Sequence, residues 1–158
     1  MVVRIRAASA EQPPLQPTSY LQVYRATPQQ RIRVIKQGMR ATDAKRILSG
    51  LAIPQGRVFK ALHISQATVN RKAQRNDVLN AVESERILGM AKLVGQVQAI
   101  VEESGDPEGF DAGAWLSSWL QEPSPALGGS PPVEFMDTIE GQAIVSRLLA
   151  QVQSGAYA

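Results

Sequence analysis

The chain has no cysteine and a single histidine, His63. Without thiolates, neither a disulfide nor a zinc–sulfur centre can form, and one imidazole cannot assemble a histidine metal site. Absent cysteine also fits a reducing compartment. Aromatic residues make up only 5% of the 158 positions, whereas hydrophobic residues reach 44%. The core must therefore be aliphatic, which suits helices better than a β-sandwich. No apolar run approaches the roughly 20 residues that span a bilayer, and the opening MVVRIRAASA lacks the apolar stretch of a signal peptide. The expectation is a soluble, cytoplasmic protein without a membrane contact, cofactor or metal.

Acidic residues are scarce in one half of the chain and basic residues in the other. Residues 1–75 carry 14 Lys/Arg against 2 Asp/Glu; residues 76–158 carry 3 against 12. The overall charge of +3 is thus the remainder of +12 and −9. A split this steep points to two surfaces with different partners, a polyanion for the first and a basic protein for the second.

The segmentation is helical. Residues 1–26 read as a largely irregular arm, because Pro13, Pro14 and Pro17 break helix; Val3 and Ile5 alternate with Arg4 and Arg6, so a short strand pairing across a dimer is conceivable there. Thr27-Pro28-Gln29-Gln30 has the form of a capping box, opening a helix that turns Ile32 and Ile35 inward and stops at Gly38. Thr42-Asp43 opens a second helix, with Ala44, Ile47, Leu48 and Leu51 at helical spacing. Pro54 starts a third, with Val58, Phe59 and Leu62 apolar, and Ser65 caps a fourth that runs to about Gln74. Asn80 and Glu83 form another capping box ahead of a long helix to about Ser104, with Ile87, Met90, Ala91, Val94, Val97, Ile100 and Val101 on one stripe. Asp111 caps a helix bearing Trp115, Leu116, Trp119 and Leu120. Ser130-Pro131 begins a brief helix through Phe135 and Met136. Thr138 caps the last helix, with Ile144, Val145, Leu148, Leu149 and Val152 inside. The expected fold is all-α with seven or eight helices, divided into an arm (1–26), a DNA-binding unit (27–80), a connecting helix (81–104) and a C-terminal unit (105–158).

Little in the chain calls for an enzyme. His63 falls at a helix–helix turn with no nucleophile motif nearby. Glu102, Glu103, Asp106, Glu108 and Asp111 crowd one loop without calcium-loop spacing. Gly128-Gly129-Ser130 belongs to neither a P-loop nor a dinucleotide fingerprint and reads as a turn.

Residues Arg57 to Gln74 are more informative. Two short helices joined at Leu62-His63-Ile64-Ser65 match a helix-turn-helix, whose second helix enters the major groove. That helix would present Ser65, Gln66, Thr68, Asn70 and Arg71 to base edges. Gln and Asn pair bidentately with adenine and Arg with guanine, while Ala67 and the Thr68 methyl suit the thymine methyl. Lys60, Lys72 and Arg75 are the candidate phosphate contacts. Three positions depart from the usual pattern. His63 stands where glycine is common and must accept a left-handed backbone, Phe59 stands where a small residue is usual, and Lys72 stands where an apolar one is.

The C-terminal segment Leu127-Gly128-Gly129-Ser130-Pro131-Pro132-Val133-Glu134-Phe135-Met136-Asp137-Thr138-Ile139-Glu140-Gly141 resembles the toxin-binding domain of Xre/MbcA/ParS-type antitoxins. The basic half is similar to the degenerate Xre-like helix-turn-helix of that family, and the resemblance covers about residues 30–158. It implies an N-terminal helix-turn-helix domain, a C-terminal helical toxin-binding domain and no catalytic activity. It implies two partners: operator DNA of the chain's own operon, and a cognate toxin of the RES or ADP-ribosyltransferase-like kind that uses NAD. Inhibition is then by occlusion of the toxin's active-site cleft, with Gly155, Ala156, Tyr157 and Ala158 at the cleft and Phe135 and Thr138 on the toxin-facing domain. Tyr157 would be the aromatic anchor, and a terminal carboxylate would compete for cofactor-binding arginines. A homodimer built in the N-terminal half is expected, since helix-turn-helix proteins commonly read paired half-sites. The alternative is a stand-alone helix-turn-helix regulator whose C-terminal half only dimerises.

Overall fold

Local capping fixes most of the helix starts. In the computed structural model, which describes residues 12–155, Thr27 accepts a hydrogen bond from the Gln30 N–H while the Gln30 side chain accepts from the Thr27 N–H, opening helix Pro28–Gln37. Asn80 and Glu83 make the same reciprocal pair at the head of helix Ala81–Ser104. Ser65, Asp111 and Thr138 cap the helices Gln66–Gln74, Ala112–Gln121 and Ile139–Gln153. Each cap satisfies a backbone N–H that the helix itself cannot.

In chain order the helices are α1 (Tyr20–Arg25), α2 (Pro28–Gln37), α3 (Ala41–Leu48), α4 (Gln55–Ala61), α5 (Gln66–Gln74), α6 (Ala81–Ser104), α7 (Ala112–Gln121) and α8 (Ile139–Gln153), with 3-10 turns at Pro125–Leu127 and Pro132–Phe135. No strand forms among the described residues; an isolated bridge joins Arg40 and Val78. None of these helices is long and apolar enough to cross a membrane. The possible strand at residues 1–6 lies outside the described residues.

Helix α6 is the axle, touching α1, α2, α3, α7 and α8. The stripe Ile87, Met90, Ala91, Val94 and Val97 is buried as expected, with Ile100 and Val101 half-buried at its far end. Leu88, Leu93 and Ala99 on its other faces are buried too. A helix apolar on several faces belongs inside a core rather than bridging two domains. Accordingly, one apolar cluster runs from Met39 and Phe59 through Ile87 and Val94 to Leu116, Met136 and Leu149. Polar ties cross the same seam. The Ala52 N–H donates to Ser117 Oγ (2.9 Å), and Arg86 donates to the His63 carbonyl (3.2 Å). The buried Ser84 hydroxyl accepts the Met39 N–H (2.8 Å), satisfying a chain end of α2 that packing would otherwise orphan.

The structure corrects the sequence reading at four places. The arm is not irregular throughout, because Tyr20–Arg25 forms α1 and fully buries Val23. Six residues cannot hold a helix alone; this one is held by tertiary contacts. Tyr20 donates to the Ile47 carbonyl, and Arg31 donates to the carbonyls of Val23, Tyr24 and Ala26, closing the C-terminal end of α1 with positive charge. Burial pushes the Tyr20 phenol up and the Arg31 guanidinium down from their ordinary pKa values. Second, α3 starts at Ala41 with no side-chain cap, since the Ala41 N–H donates to the Asp77 carbonyl instead (3.1 Å). Third, Ile32 is 48% exposed and Ile35 only half-buried. Fourth, Val152 is 42% exposed rather than inside.

Gly95 permits the α1–α6 contact. A Cβ there would overlap the Tyr20 carbonyl oxygen and crowd Tyr24. Replacing Gly95 with Ala should therefore push α1 off α6 despite alanine's better helix propensity. Overpacking of this kind costs about 1–3 kcal/mol, so the melting temperature should fall while α2–α5 keep their structure. Calorimetry together with hydrogen exchange at Leu21–Tyr24 checks this; an unchanged or raised melting temperature contradicts it.

Candidate functional site

The helix-turn-helix is built by α4 and α5. The four-residue connection turns at His63, whose φ of 55° is the left-handed conformation that the sequence requires there. Two features stabilise it: the Ile64 N–H donates to the Phe59 carbonyl (2.8 Å), and the His63 carbonyl accepts from Arg86 on α6. Val69 is fully buried and anchors α5. Phe59 is buried, so the bulky residue is accommodated by the core rather than by the helix pair alone. Close approach comes instead at Gly56, where a Cβ would sit 3.1 Å from Gln66 Oε1. The small residue is thus nearer the start of α4 than the sequence pattern placed it.

Along α5, Ser65, Gln66, Ala67, Arg71, Gln74 and Arg75 are exposed, and Thr68 and Asn70 are half-buried. Gln66, Ala67, Asn70, Arg71 and Gln74 recur at spacings of three and four, so they share the outward face. Ser65 uses its hydroxyl to accept the Thr68 N–H (3.3 Å), so its side chain serves the helix cap.

The candidate phosphate contacts divide. Arg75 is exposed at the end of α5. Lys72 is held 3.1 Å from Glu83, with both side chains largely out of water, so its ammonium already has a partner within the fold. A pair 11 residues apart on different helices was invisible to local pattern. Lys60 is exposed but shares a cavity of about 470 Å³ with Arg57, Glu134 and Asp137, over a floor of Ile53, Val58, Met90 and Val133. The basic helix α4 thereby faces carboxylates of the C-terminal half. Other cations of the basic half also have structural partners: Arg25 with Glu102 (2.9 Å), Arg46 with Asp43 (3.3 Å), and Arg31 at the end of α1. Arg57 on α4 is an exposed cation beside the motif that the sequence reading passed over.

In the C-terminal half, Ser130-Pro131 leads into the 3-10 turn Pro132–Phe135, which packs against α7 and α8. Thr138 Oγ1 accepts the Gly141 N–H (2.9 Å), so this candidate toxin contact caps α8. Phe135 is half-buried against the core. The buried Gln142 side chain donates to the carbonyls of Met136 (3.0 Å) and Arg86 (3.1 Å), joining the 3-10 turn to α8 and α6. Gly128 and Gly129 have φ of 67° and 90°, as a tight turn requires. Trp115 and Trp119 stack with centroids 6.1 Å apart. Beyond α8, Gly155 is exposed with φ of 71°; Ala156, Tyr157 and Ala158 lie outside the described residues.

Residues 30–92 match the model of the antitoxin Xre-like helix-turn-helix domain, and residues 98–155 that of the antitoxin Xre/MbcA/ParS C-terminal toxin-binding domain. A protein of Sphingobium sp. (strain YBL2) named Prs ADP-ribosylating antitoxin is 56% identical over 142 residues, covering 90% of this chain and 89% of the relative. The chain belongs to the Xre/MbcA/ParS antitoxin family. It is an antitoxin of a toxin–antitoxin system, with a helix-turn-helix domain joined to a toxin-binding domain. The two family segments meet inside α6, between residues 92 and 98. This antitoxin therefore has no linker between its domains, because one buried helix furnishes core to both.

Proposed function

We propose that this antitoxin neutralises an ADP-ribosylating toxin by placing its C-terminal region in the toxin's active-site cleft, and that it represses its own operon through α5. It acts by binding and not by catalysis, in the cytoplasm where both partners reside. The toxin assignment rests on the 56% identical relative, whose name speaks of Prs ADP-ribosylation and whose match spans nearly the whole chain. The balance of −9 over residues 76–158 suits a toxin with a basic, NAD-phosphate-binding cleft. Gly155, Ala156, Tyr157 and Ala158 are the proposed plug, with Phe135 and Thr138 on the adjoining domain surface. Because the latter two also serve the core and the α8 cap, the plug is the cleaner target for mutation.

The outward-facing row of exposed Gln66, half-buried Asn70 and exposed Arg71 supports DNA reading by α5, with Thr68 beside it and Arg57, Lys60 and Arg75 supplying phosphate contacts. Operator recognition by paired half-sites calls for a homodimer. Arg71→Ala should lose discrimination between operator and random DNA by about 1–3 kcal/mol, roughly 5- to 150-fold. Arg75→Ala should instead weaken binding to both sequences alike and flatten the salt dependence. Gel-shift titrations at several salt concentrations decide the matter: equal loss on both DNAs for Arg71→Ala would remove it from base readout.

A further inference from the structure

Helix α4 and the 3-10 turn Pro132–Phe135 border one cavity of about 470 Å³. Its floor is apolar and includes the buried side chains of Val58 and Met90. Its rim is charged, and each sign comes from a different element. Arg57 and Lys60, three residues apart and so on one face of α4, supply the cations. Glu134 in the turn and Asp137 just after it supply the carboxylates. None of the four enters an ion pair among the described residues.

Hydrogen bonds pin both sides of this cavity. The Ala52 N–H, ahead of α4, donates to Ser117 Oγ of α7 (2.9 Å). At the far end of α4, the Arg86 guanidinium donates to the carbonyls of Leu62 (3.4 Å) and His63 (3.2 Å). The Arg86 carbonyl in turn accepts from Gln142 (3.1 Å), whose amide also donates to the Met136 carbonyl (3.0 Å), next to Asp137. One run of hydrogen bonds thus joins the end of α4 to the acidic turn. The backbone that carries the cations and the backbone that carries the carboxylates are held at a fixed separation.

Opposite charges kept apart in this way still interact. The screening length is about 8 Å at physiological ionic strength, about the width of a compact cavity of this volume, and an apolar floor weakens the screening further. The consequence falls on DNA. The first helix of a helix-turn-helix crosses the DNA backbone, which makes Arg57 and Lys60 phosphate contacts. A phosphate approaching them shares them with Glu134 and Asp137 and is repelled by both.

We infer that Glu134 and Asp137 set the strength of DNA binding, by partly neutralising Arg57 and Lys60 across the cavity. The inference rests on the DNA-binding reading above and adds to it two residues from the toxin-binding segment, not from the helix-turn-helix. No residue of α5 lines the cavity, so base readout is untouched, and operator and random DNA are affected alike.

Fluorescence anisotropy of the full chain with labelled operator and random duplexes, over a salt series, tests this, with thermal melts to verify folding. Glu134→Gln and Asp137→Asn should each tighten binding to both duplexes by roughly 2- to 5-fold at low salt, the effect of one exposed charge pair. Each should also steepen the salt dependence, and the gain should vanish at high salt. It should vanish too, at low salt, in a chain carrying Arg57→Gln and Lys60→Gln, where no cation is left to release. Glu108→Gln, which removes an exposed carboxylate in the loop after α6, should leave affinity unchanged. Unaltered affinity in both Glu134→Gln and Asp137→Asn overturns the inference. So does an equal gain from Glu108→Gln, or a gain that persists without Arg57 and Lys60, since either reports net charge alone. A chain that binds neither duplex, in wild type and variants alike, overturns the DNA-binding reading itself.

Discussion

An antitoxin lacking residues 154–158 should bind operator DNA normally and fail to protect cells from the toxin. The helix α8 ends at Gln153, its last buried residues are Leu148 and Leu149, and Ser154 and Gly155 beyond it are exposed. Gly155 is exposed and left-handed. Deletion past the last buried turn of α8 should leave stability nearly unchanged, and a melting curve separates that outcome from a folding defect. In the proposed plug Tyr157 is the aromatic anchor, and truncating a hot spot of that kind typically costs about 2 kcal/mol or more, roughly 30-fold in affinity. Tyr157→Ala alone should therefore weaken protection measurably, and loss of the whole segment should abolish it. Growth of cells co-expressing toxin with full-length or shortened antitoxin, beside a pull-down, reads the outcome. Full rescue by the shortened chain would refute the plug and transfer neutralisation to the surface around Phe135.

Gly141→Val should unseat the toxin-binding half as a whole. A Cβ at Gly141 would overlap the Phe135 carbonyl oxygen and press on Thr138 Oγ1. The obstacle is backbone, so no rotamer change relieves it, and the 3-10 turn must separate from α8. That separation also breaks the Gln142 bond to the Met136 carbonyl. The combined loss is about 3 kcal/mol from overpacking and an orphaned buried carbonyl. At this chain length it corresponds to a fall in melting temperature of roughly 6–12 °C. Because α6 supplies core to both halves, DNA binding should fail at the same temperature as toxin binding, in one transition. Differential scanning calorimetry that shows two separated transitions would contradict the shared core, and an unchanged melting point would contradict the packing argument.

Much of this fold was legible because helix boundaries are set locally. Thr27 with Gln30, Asn80 with Glu83, and the caps Ser65, Asp111 and Thr138 bind partners three residues away, a distance that periodicity and residue type disclose. The positive φ at His63 was likewise forced by the length of the connection between α4 and α5. The family resemblance was legible in the run from Leu127 to Gly141, since turn glycines, a Ser-Pro start and a threonine cap must keep fixed spacing. The role of α6 was only half legible: its main apolar stripe was clear, but burial of Leu88, Leu93 and Ala99 depends on helices packed from other directions.

By itself the sequence determined an all-α chain with its charges divided, helix starts fixed by short-range hydrogen bonds, and a helix-turn-helix whose second helix carries Gln66, Asn70 and Arg71. Tertiary structure alone decided which of those charges are free and which apolar residues stay outside. Lys72 is drawn to Glu83, Arg25 reaches Glu102 across 77 positions, and Arg31 closes α1. Tyr20–Arg25 becomes helix because Gly95 offers a flat seat, whereas Ile32 on α2 stays 48% exposed. The physical reason is common to all of these: a cap or a turn minimises its energy within one helical turn of chain, whereas burial and ion pairing depend on neighbours that only the completed packing brings near.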